Sequence, residues 1–272
     1  MVVQHNMQAV NTNRMLGSNV KAVAKATEKL SSGFAVNRAA DDAAGLSISE
    51  KMRNQIRGIN QAVKNSEDGV SLIQTAEGNM NEIHSILQRM GELATKAAND
   101  VNASEDRQAI ADEMKELRDE INSIASKAAF NGTHLLTGSF TSKYLQVGAN
   151  AKENMKISIS SMTATQLGLK KTDIKVSNHA LASSAMTKIS KAIKTVSAAR
   201  SKLGAIQNRL DYTINNLNNY SENLTSAESQ IRDTDMASEM TNYTKNNILQ
   251  QAAQSMLAQA NQSTQGVLSL LG

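Results

Sequence analysis

Met52 to Ala97 reads MRNQIRGINQAVKNSEDGVSLIQTAEGNMNEIHSILQRMGELATKA, and the spacing of its apolar residues decides the fold. Apolar or small residues fall at Met52, Ile56, Ile59, Val63, Ser66, Val70 and Ile73, then at Ala76, Met80, Ile83, Leu87, Met90, Ala94 and Ala97. The steps alternate four and three, the repeat of a helix that turns one seam toward other helices. Two successive three-residue steps, Val70 to Ile73 to Ala76, predict a local shift in the phase of that seam. At 1.5 Å per residue such a helix runs roughly 70 Å, so it needs partners along its length. Gly58, Gly69, Gly78 and Gly91 lie inside it, each costing about 1 kcal/mol relative to alanine. They read either as tolerated, or as points of close approach between molecules or of local softness.

The partners follow in the chain. Asn99 to Ser104 is polar, and Glu105 and Asp106 suit the first turn of a new helix carrying Ile110, Met114, Leu117, Ile121, Ile124 and Ala128. The short connection favours an antiparallel hairpin. Met186, Ile189, Ile193, Val196, Leu203, Ile206, Leu210, Ile214, Leu217 and Leu224 form a third seam. Between the second and third seams the helical period breaks, from about Phe130 to Lys175. There Asn131-Gly132 is a turn signal, while Tyr144 to Val147 and Met155 to Ile159 alternate as short strands do. The fold class expected is mainly α: a long antiparallel helical bundle or coiled coil that pairs the N- and C-terminal halves, with a small β-rich cap around 130–175.

The two ends are amphipathic. Val3, Met7, Val10, Leu16, Val20, Val23 and Leu30 define a helix stopped by Gly33 as its C-terminal cap. Met236, Met240, Tyr243, Ile248, Leu249, Met256, Leu257 and Ala260 define another, continuing into Val267, Leu268, Leu270 and Leu271. Their apolar residues cover more than one narrow stripe, so a single intramolecular partner leaves some exposed. Polar faces of Asn, Gln, Thr and Ser favour helix-to-helix assembly over attraction to anionic lipid.

Composition narrows the function. The 272 residues include Pro 0, Cys 0 and Trp 0, with 3% aromatic residues, which excludes disulfides and thiol chemistry and disfavours a many-stranded sandwich or barrel. Lys+Arg 29 against Asp+Glu 25 gives a net charge of +4, and the charges read as scattered along the chain. Neither a clustered basic stripe nor stacking aromatics calls for nucleic acid. No stretch approaches the roughly 18 apolar residues of a membrane span, and Met1 to Asn6 is unlike a secretory signal. A cytoplasmic protein, or one exported without a cleaved signal, is expected. His5, His84, His134 and His179 are isolated, and Asp41-Asp42 reads as the cap of the following helix rather than acid/base machinery. No catalytic group, metal or cofactor is expected.

Leu30-Ser31-Ser32-Gly33, Asn37-Arg38-Ala39-Ala40-Asp41-Asp42-Ala43-Ala44-Gly45-Leu46 and Leu87-Gln88-Arg89-Met90-Gly91-Glu92-Leu93-Ala94 closely resemble bacterial flagellin. So do Leu203-Gly204-Ala205-Ile206-Gln207-Asn208-Arg209-Leu210, Ala227 to Asp233 and Val267 to Leu271. The resemblance implies a structural subunit that self-assembles head to tail into the motility filament. It makes 1–42 with 233–272 the terminal helices of the filament's inner core, and 43–232 a surrounding bundle with its β cap, without large outer domains. It implies an extracellular filament, reached by the flagellar type III export apparatus without a cleaved signal, with an export chaperone and filament cap and junction proteins as partners. It assigns polymerisation to Val3, Met7, Val10, Leu16, Val20, Val23, Leu30, Met240, Ile248, Leu249, Met256, Leu257, Val267, Leu268, Leu270 and Leu271. By resemblance, host Toll-like receptor 5 is a further partner, through Arg89 and Leu93 with Ile110 and Glu113 beside them. Gly91 departs from the basic residue that strongly stimulating relatives often carry. A flagellin-like hook–filament junction protein is the alternative.

Overall fold

The computed structural model describes residues 6–172 and 174–271, and side chains in those ranges through residue 263. Along the chain run α1 (Met7–Ser32), α2 (Ala43–Ala97), α3 (Ser104–Lys127), β1 (Ala129–Phe130), β2 (Thr133–His134), β3 (Lys143–Gln146), β4 (Asn154–Ile157), α4 (His179–Arg232) and α5 (Met236–Leu271). They divide into two compact units, Met1–Ile56 with Glu222–Gly272, and Arg57–Ser221. The expected class holds: long helices pack on one another and the small β region lies in the middle of the chain. Among the described residues no helix is long and apolar enough to cross a membrane.

Short polar side chains set the helix starts. Asn6 accepts from the Ala9 amide, Asp42 from Gly45, Asn178 from Leu181, and Asp235 from Ala237 and Ser238, all at 2.8–3.2 Å. Each thereby satisfies a backbone donor that the first helical turn cannot use. The Asp106 carboxylate likewise receives the Ala103 amide at the start of α3, as its place in the first turn suggested. Gly33 ends α1 at φ 77, the left-handed conformation that glycine adopts without steric cost.

In the larger unit, α2 buries Ile59, Ala62, Ser66, Gly69, Ile73, Ala76, Met80, Ile83, Leu87, Met90, Ala94 and Ala97. This row alternates three and four without interruption, so the phase shift expected at Val70 is absent. Val63 and Val70 are half-buried beside the row, and Ala62 and Gly69 occupy it. The seam admits small residues at these positions because neighbouring side chains come close. A Cβ on Gly69 would lie 2.5 Å from Leu145 Cδ2 and 3.3 Å from Leu210 Cδ1. Against this row pack Ile110, Met114, Ile121 and Ala125 of α3. From α4 come Ala182, Ala185, Ile189, Ala192, Val196, Leu203 and Leu210, again with alanines where Met186 and Ile193 were expected.

The β cap shares this core rather than sitting apart. Asn131 (φ 46) and Gly132 (φ 75) make the tight turn joining β1 to β2, with Phe130 facing Thr133. A second hairpin pairs Lys143 with Ile157 and Gln146 with Asn154. Leu135, Leu136, Met155, Ile157, Ile159, Met162 and Leu169 are buried against the helices. The helical glycines then separate by role. Gly58 gives room to Ala149 and Gly69 to Leu145, whereas Gly78 has nothing within 4 Å of an added Cβ. Close approach within the chain therefore accounts for Gly58 and Gly69.

Replacing Gly78 with Ala should stabilise the protein by about 1 kcal/mol through helix propensity alone. Gly69→Leu should destabilise it by about 1–3 kcal/mol through overpacking against Leu145 and Leu210. Thermal denaturation of the two variants, with opposite shifts in midpoint, checks both.

Candidate functional site

The smaller unit is held together by its two terminal helices. Helices α1 and α5 pack on one another and run antiparallel: Asn6 Nδ2 donates to the Ala260 carbonyl at 2.9 Å, and the Thr234 amide donates to the Gly33 carbonyl at 2.9 Å. Among the described side chains of the pair, only Ala26 and Ala260 are fully buried. Small residues at the contact let the two backbones approach, and larger apolar residues fall to the sides.

Those larger residues are exposed. Met7 is 71% exposed and Ile248 61%; Val10, Met15, Val20, Met236, Met240, Leu249 and Met256 are also open to solvent. Leu16, Val23, Leu30 and Leu257 are half-buried. Val3 and the side chains of Val267, Leu268, Leu270 and Leu271 lie outside the described residues. One partner per helix thus leaves a continuing apolar surface uncovered, as the width of the stripes implied. Such a surface marks a place where another macromolecule docks.

A clasp of polar contacts joins the α1–α2 linker and the start of α2 to the end of α4. The Ala35 amide donates to the Arg232 carbonyl at 2.7 Å, and Phe34 bridges to Asp233 as isolated antiparallel neighbours. The Arg232 guanidinium lies 4.5 Å from the Phe34 ring centroid and its Nη1 reaches Glu50 Oε1 at 3.1 Å. Arg53 Nε stands 3.7 Å from Glu228 Oε1, and Arg38 Nε donates to Glu28 at 2.9 Å. No sequence pattern announced this clasp, because its halves lie some 200 positions apart.

Of the expected acid pair, Asp42 caps α2 but Asp41 does something else. Its Oδ1 meets Lys25 Nζ at 2.9 Å, and its Oδ2 accepts the Arg38 amide at 3.1 Å and the Asn37 amide at 3.3 Å. Asp41 therefore ties the linker between α1 and α2 back onto α1. The hydrogen bond from Lys25, followed by that from the Arg38 amide, holds the Asp41 carboxyl below the usual aspartate value, and the same contact raises Lys25.

The second candidate surface is on the larger unit. Arg89 Nε and Nη2 both donate to Glu113 Oε1, at 3.1 and 2.9 Å, and Nη1 reaches Glu92 Oε2 at 3.3 Å. Glu113 first, then Glu92, raises the Arg89 pKa further. Arg89 and Glu113 are exposed, as a binding role requires. Leu93 and Ile110 are only 4% and 5% exposed, part of the buried core of the larger unit. Leu93 is thus not a protruding apolar anchor: it lies beside Ala94 of the seam, buried in the core behind the surface that Arg89 and Glu113 present.

Comparison with known proteins places these features in one family. A family model described as the bacterial flagellin N-terminal helical region matches residues 3–141, and one described as the bacterial flagellin C-terminal helical region matches residues 186–271. The chain is 51% identical over 271 residues to the flagellin of Halalkalibacterium halodurans, with 100% of both chains covered. It is 48% identical over 303 residues to the flagellin of Bacillus subtilis, again with 100% of both covered. The crystal structure of Bacillus cereus flagellin aligns at a TM-score of 0.51 and 30% identity, over 57% of this chain and 88% of that one.

The lowered Asp41 pKa fixes the sign of a pH effect. The Asp41 contacts stabilise the linker fully above the ordinary aspartate range and are lost as pH falls through the depressed value of the folded protein. An NMR titration should show the Arg38 amide resonance moving with the Asp41 carboxyl, and Asp41→Asn should abolish that acid transition.

Proposed function

The chain belongs to the bacterial flagellin family and is a structural subunit of the extracellular flagellar filament; we propose that the exposed stripes of α1 and α5 are the surfaces through which it polymerises. The observation that carries this reading is the terminal helix pair, whose apolar side chains remain in solvent although the two helices already pack together. Full burial of Met7, Val10, Val20, Met240, Ile248 and Met256 is worth about 1.5–3 kcal/mol each, on the order of 10 kcal/mol together, enough to meet the cost of association. A head-to-tail contact that does not close on itself extends into a helical fibre rather than a ring.

On this reading residues 1–42 and 233–272 form the filament's inner core and 43–232 the surrounding wall. The clasp at Phe34 and Arg232 marks the passage from one to the other. By family resemblance, the chain reaches the growing tip through the type III export apparatus without a cleaved signal. An export chaperone covers its sticky C-terminal helix beforehand, and cap and junction proteins bound the polymer. Full-length identity to flagellins supports the filament subunit over the junction protein. Toll-like receptor 5 is proposed as a host partner at the Arg89–Glu113 surface, where a planar guanidinium offers several donors.

Seeded elongation, followed by electron microscopy, tests polymerisation. Ile248→Asp and Met256→Asp should each raise the critical concentration at least about tenfold, since 1.4 kcal/mol is a factor of ten, with circular dichroism unchanged. Growth at the wild-type rate would remove the terminal stripes from the mechanism. For the receptor, Arg89→Ala should weaken binding to the purified ectodomain by about tenfold, the size of an interface hot spot, and Arg89→Lys should restore it poorly. Equal affinity for all three proteins would discard the site.

A further inference from the structure

Charge along the chain is segregated, contrary to its scattered appearance. Between Lys143 and Arg209 stand twelve lysines and arginines but two carboxylates, Glu153 and Asp173, a balance of +10 in a chain whose total is +4. The remainder is therefore net acidic. Part of the excess is compensated by local pairing, as where Arg200 Nη2 donates to Glu77 Oε1 at 3.3 Å.

One part is not. A groove of about 340 Å³ runs between α4 and the segment after β4, lined by Lys191, Lys194 and Lys202 together with Ser160, Met162 and Thr195. All three lysines are exposed, and among the described residues no carboxylate comes within ion-pair distance of them. Lys191 and Lys202 are eleven positions apart on one helix, about 16 Å along its axis. Ala198 and Ala199 leave the groove floor shallow between them. Three flexible point charges in a row fit a chain of repeated anionic groups better than a single planar ligand, for which arginine forks are suited.

We propose that this lysine groove binds an extracellular anionic polysaccharide, one bearing sulfate or carboxylate groups along its length. The inference rests on the filament reading. A filament repeats the groove once per subunit, so a weak site becomes a strong one through multivalency. Lysines supply attraction by releasing the polymer's counterions, and the Ser160 and Thr195 hydroxyls supply neutral donors. Among the described residues no aromatic lines the groove, so a nucleic acid would find none of them on which to stack its bases.

The experiment uses fluorescent dextran sulfate, with neutral dextran and RNA of matched charge as controls. It compares the wild type with the triple variant Lys191→Ala, Lys194→Ala, Lys202→Ala and the corresponding triple arginine variant. Filaments of the wild type should co-sediment dextran sulfate, with affinity falling steeply between 50 and 200 mM salt. The triple alanine variant should lose on the order of tenfold or more at low salt, and the triple arginine variant should keep binding. Filaments that grow but bind no dextran sulfate would overturn the proposal while leaving the filament reading intact. Equal binding of RNA would overturn the polysaccharide assignment. Loss of seeded growth by the triple alanine variant alone would make the groove a subunit interface instead. Failure of the wild type to elongate would count against the filament reading, and retention of its monomer on immobilised dextran sulfate would still decide this one.

Discussion

The larger unit depends on one row of side chains, the face that α2 turns inward from Ile59 to Ala97. Helix α3, the first part of α4 and the β cap all pack on it. A helix of 55 residues gains little from propensity in water, and this one carries five glycines, so tertiary packing must hold it. The small members of the row set how closely its neighbours approach. Gly69 admits Leu145 from the cap, and the alanines of α4 meet the α2 row without displacing it.

The smaller unit follows the opposite logic. Its helices touch through small residues and hold their larger apolar side chains outside, which gives the isolated subunit little return for the conformational entropy of ordering them. Specific polar contacts do the local organising instead: Lys25 with Asp41, Arg38 with Glu28, and Arg232 between Phe34 and Glu50. On the proposed polymerisation reading, bulk burial is deferred until another subunit arrives. The division of labour explains why one chain contains both a dense core and an open stripe, and each suits a subunit that is stable yet adhesive.

Much of this was legible from periodicity. The three seams, the Gly33 stop, the Asn131-Gly132 turn and the excess width of the terminal stripes all express local rules that a sequence displays directly. Reading failed where packing, rather than hydropathy, chose the residue. Ala62 and Gly69 displaced Val63 and Val70 from the seam, and Leu93 joined the core beside Ala94. The Phe34–Arg232 clasp joins residues far apart in the chain, so no window could contain it. The Lys143–Arg209 charge excess was present in the sequence but hidden by a nearly balanced total.

Five of the nine exposed large side chains on the described parts of α1 and α5 are methionines: Met7, Met15, Met236, Met240 and Met256. A thioether on three rotatable bonds reshapes itself to fit, so a surface made from it tolerates neighbours at slightly different angles and offsets. Polymers that must bend without breaking benefit from such compliance. The same sulfur atoms make the stripe redox-sensitive, since oxidation turns an apolar, yielding side chain into a polar sulfoxide. With the stripes as the proposed assembly surface, an unassembled subunit meets oxidants with that surface bare, whereas burial in a contact shields it, so assembly also preserves the chemistry that makes assembly favourable.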